Sequence, residues 1–142
     1  VRPGAHIGDI GHAVEERLKK DHLGIIRDLA GHGVGYQLHE DPFVPNFGSP
    51  CTGPELKEGM VLAIEPMATL GTWRVVLQKD EWTYKTADGS LAAHFEHTIA
   101  VMKDGAEIMT RINQYDLHGQ LYLLSYCYDR KGIIVFSYGK VC

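Results

Sequence analysis

The chain is 142 residues long, which fits a single domain and is enough to bury a core. It carries 14 Lys and Arg against 18 Asp and Glu, a net charge of −4, and shows no basic stripe that would support nucleic-acid binding. No run reaches the ~18 apolar residues of a membrane-spanning helix. Three scattered cysteines, Cys51, Cys127 and Cys142, form no disulfide framework, so a reducing, cytoplasmic setting is expected. The start, Val1-Arg2-Pro3-Gly4, is not a signal peptide and reads as the middle of something longer. Eight histidines raise the prior for metal or acid–base chemistry.

Ile7, Ile10, Val14 and Leu18 recur at helical spacing, while Glu15, Glu16, Lys19 and Lys20 lie off that face. The pattern predicts an amphipathic helix over 6–22, stopped by Gly24, whose plainest role is to cover a sheet. Residues 31–54 hold five glycines and four prolines and read as loops and turns. Met60-Val61-Leu62-Ala63-Ile64 reads as a buried strand ending at Glu65-Pro66. Further strands are predicted over 73–78, 81–86, 93–102 and 107–110, with turns at Lys79-Asp80, Ala87-Asp88-Gly89 and Asp104-Gly105. One helix followed by a strand meander implies an α+β fold. The segment 112–142 differs in texture, with five of the seven tyrosines. Two apolar runs, Leu121–Tyr128 and Ile133–Tyr138, flank Asp129-Arg130-Lys131-Gly132. They read either as a hairpin or as a segment foreign to the domain.

Four residues carry candidate chemistry: His32, His39, Glu65 and Glu96. Imidazole and carboxylate are the ligands that first-row divalent metals accept when no thiolate is offered. His32 lies between Gly33 and Gly31, which suits a ligand displayed from a tight loop, although a surface turn histidine would look the same. His39, seven residues on, could polarise a carbonyl or hold an oxyanion. Glu65 ends an apolar strand, where a carboxylate is costly to bury without a partner. A metal, Arg74 or Lys85 could serve. In the run around Glu96, strand alternation puts His94, Glu96 and Thr98 on one face and Phe95, His97, Ile99 and Val101 on the other. A salt bridge is the plain alternative for Glu96. No His-Glu-x-x-His helix is present.

In order along the chain, Gly31-His32-Gly33-Val34-Gly35, Leu38-His39-Glu40-Asp41-Pro42, Leu62-Ala63-Ile64-Glu65-Pro66-Met67 and Phe95-Glu96-His97-Thr98 resemble the type I methionine aminopeptidases. The flanking Lys57-Glu58-Gly59-Met60, Trp82-Thr83-Tyr84-Lys85-Thr86 and Asp88-Gly89-Ser90-Leu91-Ala92-Ala93 match as well. The resemblance spans residues 1–111. It implies the C-terminal half of a pita-bread fold, an antiparallel curved sheet with a covering helix, with 112–142 as an atypical tail. It implies metal binding by His32, Glu65 and Glu96, with Glu96 bridging two ions and Glu65 also catalytic through proton transfer. It makes His39 catalytic at the scissile amide, and Leu38 and Trp82 the lining of a methionine pocket. Up to two divalent ions (Co, Mn, Fe or Zn) would serve a monomeric hydrolase acting on the N-termini of peptides and nascent chains. The related proline-directed peptidases share the His-Gly and Glu-Pro elements but usually continue with Gly, so Met67 favours methionine specificity. A non-catalytic binding module is disfavoured because His32, His39, Glu65 and Glu96 are all retained.

Two aspartate ligands and a further histidine that the resemblance implies have no counterpart here. Asp9 and Asp21 sit on the predicted helix and do not match that motif. The expectation is therefore a truncated form with impaired activity and loose metal binding.

Overall fold

The computed structural model describes residues 1–111 together with two short strands, Tyr126–Tyr128 and Ile133–Phe136. The predicted helix forms as α1, Ile7–Lys20. Its first turn is organised by Asp9, whose carboxylate accepts the His6 N–H at 2.7 Å and the Cys51 N–H at 2.8 Å. One side chain thus satisfies an end-of-helix donor and ties the helix start to the loop at Cys51. Those two hydrogen bonds, the Cys51 one first, hold the Asp9 carboxyl below the usual range. Arg17, Lys19 and Lys20 in the last turn complement the helix dipole. The helix stops at Asp21 and His22, with His22 in the left-handed region at φ 56°. Gly24, expected as the stop, instead opens a strand.

The apolar stripe of α1 buries Ile7 and Ile10 fully, and Val14 and Leu18 only in part. Between them, Gly8 and Gly11 let the helix lie directly on the following loop. A Cβ at Gly8 would run into the Ser49 carbonyl, and one at Gly11 into the Phe47 carbonyl. Ile7 and Ile10 pack with Val44, Leu56, Leu62, Ile99 and Val101 into the core. Each such side chain contributes roughly 1.5–3 kcal/mol on burial.

The strands are β1 (Gly24–Ile25), β2 (Gly31–Gly33), β3 (Glu40–Val44), β4 (Val61–Ile64), β5 (Met67–Thr69), β6 (Val75–Leu77), β7 (Tyr84–Thr86), β8 (Ala92–His94), β9 (His97–Met102), β10 (Gly105–Ile108), β11 (Tyr126–Tyr128) and β12 (Ile133–Phe136). They form a sheet ordered β10-β9-β4-β2-β3, a second ordered β1-β5-β8-β12-β11, and the separate hairpin β6-β7. Pairing is antiparallel, as expected, except where β12 runs parallel to β8. The other tail residues, including the turn expected at 129–132, lie outside the described residues.

Two expectations need correction. The segment 31–54 is not all loop, because β2 and β3 lie within it. Gly31 and Gly33 are there because the backbones crowd: a Cβ at Gly31 would strike the Ala63 carbonyl, and one at Gly33 the Asp41 carbonyl. Glycine here serves strand packing, so pattern reading took it for turn chemistry. The strand expected over 93–102 is also two strands, β8 and β9, in different sheets.

The second correction positions the site. β4 pairs with β9 through Ile64 and His97, and β5 pairs with β8 through Met67 and His94. A single antiparallel register therefore runs on while both strands pass from one sheet to the other. The bridging bond is Phe95 N–H to the Pro66 carbonyl, 3.0 Å. That register sets Glu65 directly opposite Glu96 at the crossing.

The turns around the β6-β7 hairpin predict how the fold responds to acid. Asp80 accepts the Thr83 hydroxyl at 2.6 Å and the main-chain N–H groups of Thr83 and Trp82, which lowers its carboxyl to about 2. Asp88 is likewise lowered to about 2, first by the Thr72 N–H at 2.7 Å and then by Ser90. Both carboxyls titrate below their unfolded value of 3.8, so their contribution is present above that pH and is lost as pH falls toward 2. The thermal midpoint is expected to drop between about pH 4 and pH 2, and less steeply in Asp80→Asn/Asp88→Asn. Equal drops in both proteins would show that these turns are not the acid-sensitive element.

Candidate metal centre

Glu65 is 8% exposed, and its carboxylate lies between two imidazoles. His32 Nε2, from the middle of β2, stands 3.1 Å from Glu65 Oε1. His94 Nε2, from the end of β8, stands 3.2 Å from Glu65 Oε2. Neither Arg74 nor Lys85 takes this place; the side chains facing the Glu65 carboxylate are His32 and His94. The Glu65 main chain is held too, since Asn46, itself buried, donates from Nδ2 to the Glu65 carbonyl at 2.8 Å.

His32 therefore projects from β2, an interior strand next to the sheet's edge, not from a tight loop. Its Nδ1 is 2.8 Å from the Gly33 carbonyl. A carbonyl only accepts, so Nδ1 carries the hydrogen and Nε2 is the nitrogen turned toward Glu65. A backbone acceptor that orients the ring in this way is the usual support of a metal-binding histidine.

Glu65, His94 and Glu96 bring one ligand atom each to within 4.8 Å of one another. Among the described residues this is the group of three or more that closes on a common point. His32 reaches the same carboxylate from its other oxygen. His39 sits beside His32, the ring centroids 4.2 Å apart and nearly edge to face. His32, Glu65, Glu96 and His39 thus gather at one place. Leu38 and Trp82 are mostly exposed, at 73% and 86%. Trp82 lines an apolar cavity of about 380 Å³ that also includes Met67 and His94. Asp9 and Asp21 are elsewhere, on the helix start and paired with Arg17 respectively.

The residues fit a divalent cation on two grounds. Like charges opposite one another on adjacent strands repel, and the Glu65–Glu96 pair is largely shielded from solvent. In addition, His94 Nε2 is buried and makes no hydrogen bond, because its approach to Glu65 is off the hydrogen-bonding direction. Strand alternation places His94 on the face of Glu96 but does not by itself mark it as a ligand. Its position two residues before Glu96 was the available signal.

Residues 1–103 match metallopeptidase family M24. The chain belongs to that family. Within the family it is similar to the methionine aminopeptidase of Clostridium acetobutylicum, 50% identical over 107 residues, which are 75% of this chain and 43% of that protein. It is also similar to methionine aminopeptidase 1 of Bacillus subtilis, 47% identical over 79% of this chain and 45% of that one. The crystal structure of the Thermotoga maritima methionine aminopeptidase superposes with a TM-score of 0.77 at 52% identity, covering 79% of this chain and 45% of that one. The chain spans less than half the length of these relatives. The prolidase of Pyrococcus furiosus, at 24% identity and a TM-score of 0.55, shares the fold. The architecture is thus α+β of the pita-bread type.

Proposed function

We propose that the chain carries part of the active site of a methionine aminopeptidase, removing N-terminal methionine from peptides and nascent proteins. The observation that carries this reading is the facing pair Glu65 and Glu96 with His32 against the same carboxylate. His32, Glu65 and Glu96 would hold up to two divalent ions (Co, Mn, Fe or Zn). When bound, such ions lower the pKa of water and polarise the scissile carbonyl. Glu65 accepts a proton from the attacking water and returns it to the leaving amine. His39, packed on His32, donates an N–H to the oxygen of the tetrahedral intermediate. Trp82 lines the methionine pocket, and Met67 in the same cavity offers the soft, adaptable surface that suits a thioether, while Leu38 lies outside the residues lining that cavity.

Support for methionine over proline specificity comes from the identities near 50% to methionine aminopeptidases and from Met67 after Glu65-Pro66. We also propose a monomer in the cytoplasm, consistent with the free thiol of Cys51. No helix among the described residues is long and apolar enough to cross a membrane.

The test is release of free methionine from a peptide beginning Met-Ala, incubated with the chain and Co²⁺ or Mn²⁺. Slow, metal-dependent release is expected, with none from the same peptide acetylated at its amine. His39→Ala should lower kcat by about 10²–10³-fold. No release at any metal loading, or cleavage confined to X-Pro peptides, overturns the reading.

A further inference from the structure

We infer that His94 is itself a metal ligand, so that one divalent cation is held by Glu65 Oε2, Glu96 and His94 Nε2. This extends the metal centre proposed above and rests on it, but it adds a ligand outside the set His32, Glu65 and Glu96.

The first ground is spacing. Nitrogen and oxygen ligands lie about 2.0–2.2 Å from a first-row divalent ion, so neighbouring ligand atoms fall about 2.8–3.6 Å apart in octahedral or tetrahedral coordination. His94 Nε2 and Glu65 Oε2 are 3.2 Å apart, and a Glu96 oxygen completes the group with all three ligand atoms within 4.8 Å of one another. The second is that His94 Nε2 is buried without a hydrogen bond, although an acceptor carboxylate is this close. A nitrogen whose lone pair serves a third atom explains the separation and the poor hydrogen-bond direction together. The third is topology. The register that crosses from one sheet to the other sets His94 opposite Met67 and Glu96 opposite Glu65, so the ligands come from adjoining strand ends rather than mobile loops. Ligands on paired strands are pre-positioned for the ion.

Glu65 then serves two histidines, with Oε1 toward His32 and Oε2 toward His94. His94 also lines the cavity formed by Ile26, Leu29, Met67, Val75 and Trp82. A cation at His94 would border that apolar cavity. One imidazole with two carboxylates suits Zn²⁺, Co²⁺ or Mn²⁺ and leaves coordination positions open.

The experiment is Co²⁺ titration of the full 142-residue chain, read by visible absorption and by hyperfine-shifted imidazole protons in the NMR spectrum. In the wild type, two histidines, His32 and His94, are expected to show shifted imidazole signals. His94→Gln should lose one of them and weaken Co²⁺ binding about 10-fold or more. His97→Gln is the control, since His97 faces Thr110, 2.9 Å away, and should change neither readout. Circular dichroism checks that each variant is folded. If His94→Gln does not fold, the number of shifted imidazoles in the wild type decides. Unchanged affinity and signals in His94→Gln, or a single shifted imidazole in the wild type assigned to His32, overturn the role of His94 and leave the metal centre standing. No Co²⁺ binding by the wild type overturns both.

Discussion

Replacing Glu65 by Gln is expected to reduce divalent-metal affinity by at least about 100-fold, or about 2.8 kcal/mol. Glutamine has the shape of glutamate, so the strand crossing and the Asn46 bond to the Glu65 carbonyl should persist. What changes is chemistry: an anionic oxygen facing each of two imidazoles becomes a neutral amide, one end of which is a donor. The charge that draws a cation to the crossing is then halved, leaving Glu96 alone. Calorimetric titration with Mn²⁺ or Co²⁺ gives the answer directly. The wild-type chain should bind weakly, because the ligands gathered here are only His32, His94, Glu65 and Glu96. Tight binding of two ions, or equal affinity in the Gln variant, would contradict this account.

The second large effect is expected from Gly31→Ala. The added methyl meets the Ala63 carbonyl across the β2–β4 pairing, and backbone cannot turn aside as a side chain can. Overpacking of this kind costs about 1–3 kcal/mol. Relief requires β2 to move away from β4, which opens the gap between His32 and Glu65. Stability and metal affinity should therefore fall together. Gly35→Ala is the contrast: its methyl meets only the carboxylate end of Glu40, a flexible group. A denaturant series should show a lower midpoint for Gly31→Ala and a near-native one for Gly35→Ala. A wild-type midpoint for Gly31→Ala would mean that the strands can slide apart at little cost.

The helix at Ile7–Lys20 and most of the later strands were legible because each has an apolar period of its own. The short strands β2 and β3 were not. Gly31, Gly33 and Pro42 carry turn chemistry in isolation, and only the crowding of β4 at Gly31 and of β3 at Gly33 explains why glycine is required. The break in the run Ala93–Val101 was equally hidden. Strand alternation continues through Phe95 and Glu96 without a fault, and the change of sheet is imposed by the partner strand, which crosses at Glu65-Pro66.

The site divides in the same way. Residue types, order and the motifs around His32, His39, Glu65 and Glu96 were enough to name metal chemistry and a family resemblance, because ligand identity is a local property of a side chain. The sequence also settled the α+β class, through one helical period followed by strand periods. Which atoms face each other was decided by the tertiary structure alone. The shared register sets Glu65 against Glu96 and turns His94 toward the same carboxylate as His32. These are contacts between segments some 30 residues apart, and such distances depend on strand pairing, which no single stretch of sequence encodes.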